Sequence, residues 1–277
     1  VVCYDLLYIL MMRLDALMLG YYLPAVQVGI YGIAVEIALL TKKIRHWFEP
    51  IFAPIISELH HQRQMNRLEE NFSLVTRWFL TITIPFFFGI VLIGRDLLAV
   101  FGPEFTVGGL SLTLLTLSQI LYGSMGSGDL LLLMAGHPYL NLMNTALVLV
   151  LNFGLGLFLI PRYGMVGAAA GTFASFAVLS LIRLVEVYLL LRIHPFRQQL
   201  IKPVVAGLVA FLFTAVVRSM YPVHSLVSVI VYSLLFMIGY VVILVRLGLE
   251  EEDRQLLRAG WDRLRSRSWD RVAKRAA

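Results

Sequence analysis

The sequence predicts an all-α integral membrane protein with about eight transmembrane helices. Of its 277 residues, 59% are hydrophobic and only 14% are charged, whereas soluble domains are about a quarter charged. The apolar residues gather in runs of roughly 20 or more, the length at which a helix crosses a bilayer. Short breaks rich in Pro and Gly separate these runs, and such breaks end helices. This much apolar surface needs lipid as its solvent.

Eight runs are long enough to span a membrane, and each is expected to be helical because backbone groups in lipid must be bonded within their own segment. They are Val1–Leu23, Val26–Leu59, Phe72–Ile93, Gly108–Met134, Tyr139–Ile160, Gly164–Ile193, Ile201–Met220 and Leu226–Leu247. The sequence starts with Val inside an apolar run, so we interpret it as a piece of a longer protein.

The distribution of basic residues predicts the orientation of these spans. Lys and Arg in short loops favour the cytoplasmic side, and one set of loops is clearly richer in them. That set holds Arg63, Arg67, Arg192, Arg197 and Lys202, whereas the other holds only Arg95, Arg162 and Arg218. The C-terminus is therefore predicted to be cytoplasmic. Residues 248–277 form a basic amphipathic tail, which either contacts anionic lipid headgroups or is a solvated end.

Several classes of function are poorly supported. Cys3 is the single cysteine, and no Cys/His cluster has the spacing of a metal site. There is no metalloprotease, hydrolase or nucleotide-binding motif, so no catalytic residue, metal or cofactor is predicted. Because eight of the 23 basic residues lie in the last 24 positions, the net charge of the chain does not indicate a nucleic-acid partner.

Ionisable residues inside the spans carry the most information, because each one costs about 3 kcal/mol or more at the centre of a bilayer. The first span contains Arg13 and Asp15. The second span is unusually long, and its middle holds a charged group: Glu36, Lys42, Lys43, Arg45, His46 and Glu49. Pro50 and Pro54 follow and predict a kink.

Three interpretations of this charged group are open. Lys42, Lys43 and Arg45 can neutralise an anionic headgroup in a water-filled cleft. Alternatively, the helix leaves the membrane near Lys42 and the basic side chains reach the interface. A third interpretation has Glu36 and Glu49 neutralising the bases as internal ion pairs.

Polar positions in later spans are given structural roles. Asp129 is expected at the membrane interface. Arg183 and Glu186, three residues apart, are expected to pair with each other rather than bind substrate. Asn144 and Asn152 are expected to bridge helices by hydrogen bonding.

Several motifs resemble the oligosaccharide flippases of the polysaccharide-transporter family, within the superfamily that includes the MATE exporters and lipid II flippases. In order along the chain, the motifs are Arg13-Leu14-Asp15, Met18-Leu19-Gly20-Tyr21-Tyr22, Val28-Gly29-Ile30-Tyr31-Gly32-Ile33-Ala34, Phe52-Ala53-Pro54-Ile55-Ile56-Ser57-Glu58-Leu59, the run from Asn152 to Pro161, and Tyr163-Gly164-Met165-Val166-Gly167-Ala168-Ala169. Their order and spacing suit the family as far as about Leu247.

The resemblance implies a fold of two six-helix lobes around a central cavity, often followed by two extra helices. This chain resembles the second lobe (1–193) followed by two additional helices (194–247), without the first lobe. The implied substrate is an undecaprenyl-pyrophosphate-linked oligosaccharide, moved across the bacterial inner membrane for O-antigen, capsule or exopolysaccharide synthesis. The implied partners are membrane lipid, the missing first lobe, and polysaccharide polymerases and chain-length regulators.

The resemblance also implies alternating access by rocking of the lobes. In that scheme Arg13, Lys42, Lys43 and Arg45 bind the substrate, while Asp15 or Glu36 holds a coupling proton or sodium ion. Two other functions remain in view: a cation-coupled exporter of small molecules, and a membrane-embedded polymerase or ligase acting on lipid-linked sugars. The basic residues of the second span argue against the exporter, and the short external loops argue against the enzyme.

Overall fold

A computed structural model describes residues 2–124, 128–193, 200–221 and 226–248. Throughout these ranges the regular structure is helical, without a β-strand. The predicted class, an all-α integral membrane protein, is therefore confirmed. The predicted basic tail lies, apart from Gly248, outside the described residues.

Eight α-helices and one short 3₁₀ helix make up the described chain. The α-helices are α1 (Val2–Tyr22), α2 (Ala25–His61), α3 (Met65–Ala99), α4 (Gly109–Ser124), α5 (Gly128–Met134), α6 (Pro138–Leu191), α7 (Ile201–Met220) and α8 (Leu226–Arg246), and the 3₁₀ helix (Pro103–Gly108) leads into α4. α2 runs without a break through Pro50 and Pro54. The predicted fourth span thus contains two helices, with residues 125–127 between them.

α6 is a helical hairpin rather than one straight helix. At 54 residues a straight α6 would be about 80 Å long, far more than the roughly 30 Å of a bilayer core. Gly164 has φ 56° and ψ −133°, a conformation open mainly to glycine, and the chain reverses there. Beyond the turn, a Cβ added to Gly171 would lie 3.6 Å from the Leu155 Cβ. The arms 138–163 and 165–191 therefore supply the predicted fifth and sixth spans.

Six helical stretches of the described chain are long and apolar enough to cross a membrane. α1 is the long helix outside this group, because every 18-residue stretch of it contains Asp5, Arg13 and Asp15. Since α6 folds back on itself, one of the six stretches provides two crossings. Of these charges, Asp15 is buried against other helices and Arg13 is exposed.

Two of the buried apolar clusters in the described residues show how the helices pack. The first joins α1, α2, α4 and the second arm of α6 through Leu19, Tyr31, Leu112 and Ala169, all fully buried. In the second, α7 and α8 pack on each other and on α3. The two extra helices therefore sit beside α3.

A proline in α3 explains part of this second packing. Pro85 has no backbone N–H, so the Thr81 carbonyl four residues earlier lacks its usual helical donor. The Tyr240 hydroxyl of α8 donates to that carbonyl at 2.8 Å. The hydroxyl replaces the lost ladder bond and at the same time fixes α8 against α3.

We expect Tyr240→Phe to lower the free energy of unfolding by about 1 kcal/mol, the usual cost of losing a buried hydrogen bond. The same substitution in a Pro85→Ala background should cost clearly less, because the alanine restores a backbone N–H that can donate to the Thr81 carbonyl. Thermal unfolding of the four purified variants in detergent measures this coupling. Equal costs in both backgrounds would contradict the replacement of the ladder bond.

Candidate functional site

α1 and α2 together present an exposed surface that we call the open face. Most of its residues are three, four or seven positions apart on each helix, as expected for one helical side. They are Leu10, Arg13, Leu17, Gly20 and Tyr21 on α1, and Gly29, Glu36, Leu40, Lys43 and Trp47 on α2. This surface is mixed in character, with aromatic and aliphatic side chains between charged ones.

The charges of the open face distinguish it from the other exposed helices. Arg13, Glu36 and Lys43 are all exposed and lie well inside their helices. On α7 and α8, by contrast, the exposed positions between the helix ends are almost all apolar, among them Leu208, Leu212, Leu234 and Ile238. Apolar helix faces suit lipid, whereas exposed charges in a span mark a water-filled cavity or a partner surface.

Behind the open face, the Asp15 carboxylate joins three helices. Asp15 is buried, and its Oδ2 accepts hydrogen bonds from the Tyr31 hydroxyl of α2 at 3.1 Å and from the Thr172 hydroxyl of α6. Asn152, on the other arm of α6, donates to Thr172 at 3.4 Å. Because an unbonded buried carboxylate is very costly, these contacts hold α1 in place against α2 and both arms of α6.

A small cavity adjoins this carboxylate. It offers about 20 Å³ to the centre of a water-sized sphere, enough for one water molecule or a small ion. It is lined by Asp15, Val35, Leu115, Gln119, Asn152, Thr172, Ser175 and Phe176, and we call it the Asp15 cavity. Three of its buried oxygens, Gln119 Oε1, Asn152 Oδ1 and Ser175 Oγ, have no hydrogen-bond partner among the described residues.

The chemistry of the Asp15 cavity suits a small cation. Carboxylate, amide and hydroxyl oxygens are hard ligands, which favour hard cations over soft metals. The set carries a single formal negative charge, and no described group of three or more acidic, His or Cys residues is arranged to hold a metal ion. One negative charge among neutral oxygens matches a monovalent cation, such as a proton or Na⁺, better than a divalent one.

A second polar centre lies near the middle of α2. The Arg45 guanidinium bonds to Glu49 Oε1 at 2.6 Å and to Asp129 Oδ2, in α5, also at 2.6 Å. Arg183 Nη1 of α6 lies 3.9 Å from the same Asp129 oxygen. Arg45, Asp129 and Arg183 are only 11%, 12% and 4% exposed, so the network is largely shielded from solvent.

Tyr122 of α4 completes this network. Its hydroxyl donates to Asp129 at 3.2 Å, and the Arg45 and Arg183 guanidinium carbons lie 4.8 and 5.0 Å from its ring centre. Such distances allow cation–π attraction. Four helices, α2, α4, α5 and the second arm of α6, are thus connected through one carboxylate and one aromatic ring.

The structure divides the charged group of the second span. Lys43 is exposed on the open face, whereas Arg45 is directed inwards and paired. Lys42 is half-buried. Glu49 pairs with Arg45, and its carboxylate lies 2.8 Å from His46 Nδ1. This is the internal pairing that the third interpretation gave to Glu49. The substrate-binding roles of Arg13, Lys42, Lys43 and Arg45 stay predictions.

The other polar positions have mixed outcomes. The Asp129 carboxylate is buried between two guanidiniums, and its expected position at the membrane interface stays a prediction. The bridging role of Asn144 and Asn152 is confirmed, since Asn144 donates to Glu186 at 2.6 Å across the two arms of α6 and Asn152 donates to Thr172.

Four residues that bond to Asp15 or line the Asp15 cavity were not predicted as site residues. They are Tyr31, Gln119, Thr172 and Ser175. The available signal was weak. Thr172 and Ser175 are three residues apart and share a helical side, but hydroxyl residues in membrane helices usually bond to their own backbone. Only the folding of α6 onto α1 brings their oxygens to the carboxylate.

Known proteins give the structure a family context. Residues 1–106 match the model of a family described as "Polysaccharide biosynthesis protein". The chain is also 29% identical over 166 residues to the "Probable low-salt glycan biosynthesis flippase Agl15" of Haloferax volcanii. This match covers 60% of this chain and 35% of that protein. It is 27% identical over 176 residues to the "Probable flippase AglR" of the same organism, covering 61% of this chain and 36% of that protein.

These matches confirm the resemblance to the oligosaccharide flippase family that the motifs predicted. The chain spans about a third of the length of the curated relatives it matches. No solved structure matches it.

We expect Asp129→Asn to lower the free energy of unfolding by about 3–5 kcal/mol, because it removes the charge of a buried carboxylate that pairs with Arg45 and lies beside Arg183, and breaking a buried ion pair is costly. Asp96→Asn is the matched control. Asp96 pairs with Arg218 at 2.6 Å but is 28% exposed, and such pairs contribute only about 0–1 kcal/mol. Thermal unfolding in detergent compares the two, and equal shifts would show that burial does not govern the Asp129 network.

Proposed function

We propose that this chain forms part of a flippase that moves a lipid-linked oligosaccharide across a membrane. The observation that carries the proposal is the open face, where Arg13 and Lys43 are exposed among apolar residues in helices that otherwise suit lipid. The names of the two Haloferax volcanii relatives, each a probable flippase and one of glycan biosynthesis, support the same class.

In more detail, the proposed substrate is an oligosaccharide joined by pyrophosphate to an undecaprenyl chain. Such a molecule is anionic at the pyrophosphate, polar in its sugars and apolar in its tail. The cations Arg13 and Lys43 suit phosphate oxygens, while Leu17, Leu40 and Trp47 beside them offer apolar surface. Lys42 and Arg45, also assigned to the substrate from the sequence, are less exposed, and Arg45 is paired with Glu49 and Asp129. The open face itself therefore presents both properties together.

The transport step is alternating access. We propose that the open face forms one wall of a central cavity whose other wall is the first lobe implied by the family resemblance. Rocking of the two lobes would expose the cavity first to the cytoplasm and then to the outer side. The setting is the bacterial inner membrane with the C-terminus cytoplasmic, and the product supplies polymerases and chain-length regulators of O-antigen, capsule or exopolysaccharide synthesis.

Coupling to an ion gradient is assigned to the Asp15 cavity. Its buried carboxylate and three oxygens without partners among the described residues support a monovalent cation there. Glu36, on the open face, lies one residue beyond the cavity-lining Val35. Binding of a proton or Na⁺ would neutralise Asp15, whose bonds link α1 to α2 and α6, and so change how firmly α1 is held.

Two other functions fit less well. A cation-coupled exporter of small cationic molecules would be expected to have an acidic cavity wall, whereas the open face carries Arg13 and Lys43 beside Glu36. A polymerase or ligase would require catalytic residues, and neither the sequence motifs nor the described clusters suggest any. We therefore propose a transporter without a cofactor.

We expect Lys43→Gln to reduce delivery of the glycan to the outer surface by about tenfold, the effect of losing roughly 1.4 kcal/mol of binding. Lys43→Arg, which keeps the charge, should retain most of it. Because Lys43 is exposed, neither substitution should alter thermal stability. The measurement is surface polysaccharide at matched membrane levels of the full-length protein. Normal polysaccharide in Lys43→Gln would remove this residue from the proposed site.

Asp15→Asn should remove the dependence of transport on an ion gradient, because it keeps the size of the side chain but deletes its negative charge. Asp15→Glu, which restores the charge, should recover part of that dependence. Transport into membrane vesicles, with and without an imposed Na⁺ or proton gradient, tests this. A gradient dependence unchanged in Asp15→Asn would place ion coupling elsewhere in the protein.

A further inference from the structure

The residues that line the Asp15 cavity differ in how deeply they are buried. Seven of the eight residues that line it are buried, each with 7% exposure or less. Val35 of α2 is the exception, because it is half-buried at the edge of the helix. Val35 is therefore the most exposed side chain of the lining, and it is adjacent in α2 to Glu36 of the open face.

The surface outside Val35 suits the approach of a cation. Glu36, the next residue on α2, is exposed on the open face and places a negative charge at this point. One turn earlier, a Cβ added to Gly32 would meet no atom within 4 Å, so no side chain crowds the path there. An acidic group beside an uncrowded entrance raises the local concentration of cations.

The cavity wall at Phe176 is closed in a different manner. Phe176 packs edge-on against the Tyr122 ring at 5.2 Å, and both belong to a buried apolar cluster with Val148 and Leu179. Beyond Tyr122 lie the Arg45 and Arg183 guanidiniums. A cation on that side meets a buried apolar layer, and behind it an ion-pair network in which the Asp129 and Glu49 carboxylates are already bonded to guanidiniums, so this route is unfavourable.

We propose that Val35 is the gate through which a monovalent cation exchanges between the open face and the Asp15 cavity, with Glu36 as its outer attracting charge. This inference rests on the proposed coupling at Asp15 and adds the side from which the ion enters. The ion and the lipid-linked substrate would then use the same central cavity, and the ion would reach its site before the bulky substrate covers Val35.

A gate residue alters the rate of exchange without altering affinity, and this distinguishes it from a ligand. Val35→Ala should speed both association and dissociation of Na⁺ by about tenfold, the effect of lowering a barrier by ~1.4 kcal/mol, while the dissociation constant changes little. Val35→Phe should slow both rates. Glu36→Gln should slow association, with the difference from wild type fading at high ionic strength, because salt screens an exposed charge.

The experiment measures binding and release of radioactive Na⁺ by the full-length protein in detergent, at fixed pH, with Phe176→Ala, at the buried wall, as the matched control. If Na⁺ does not bind, proton uptake and release after a pH jump replaces it as the probe. Rates that respond to Val35 and not to Phe176 support the gate.

Faster exchange in Phe176→Ala, with unchanged rates in Val35→Ala and Val35→Phe, would overturn the route while leaving the Asp15 site in place. Binding of neither ion, or binding that Asp15→Asn does not weaken, would overturn the coupling itself and the gate with it. Failure of the route through Val35 and failure of the ion coupling at Asp15 therefore give different results in the same set of measurements.

Discussion

The buried carboxylate of Asp15 constrains the whole bundle. A carboxylate placed inside an apolar lobe is tolerated only when neighbours supply hydrogen bonds, and here Tyr31 and Thr172 do so from two other helices. Meeting that demand fixes the depth and rotation of α1. With Asp15 turned inwards, Arg13 two residues earlier is exposed on the open face. The inner site and the outer surface are thus set by the same placement of α1.

The charges of α2 likewise fall into a buried set and an exposed set. Arg45 is satisfied inside the lobe by Glu49 and Asp129, where it holds α2 to α5 and serves the structure. Lys43, two residues earlier and on the other side of the helix, is left exposed. A membrane-embedded surface that retains such a charge needs either water or a ligand, which is the physical basis for assigning substrate contact to the open face rather than to the buried network.

Much of the fold follows from the sequence because apolar runs and their Pro and Gly breaks are local signals. The reversal of α6 at Gly164 was expected from the break at Pro161–Gly164, and the charges of α2 were recognised by their cost in lipid. What could not be predicted depends on contacts between distant segments. Asp129 is found between Arg45 and Arg183 only because α5 folds against α2 and α6, and Thr172 reaches Asp15 across 157 positions of sequence. The spacing of residues within one helix carries no information about such contacts between distant segments.

The central claim is that the open face contacts a lipid-linked, pyrophosphate-bearing glycan, and photocrosslinking tests it most directly. A photoreactive residue at Leu40, between Glu36 and Lys43, is compared with one at Leu212 on α7; both positions are exposed, at 43% and 54%. Illumination of the full-length protein in cells that make the glycan is followed by analysis of the attached lipid. The account predicts a crosslink to the pyrophosphate-linked glycan at Leu40 and only ordinary phospholipid at Leu212. Ordinary phospholipid at both positions, with no glycan at Leu40, would contradict it.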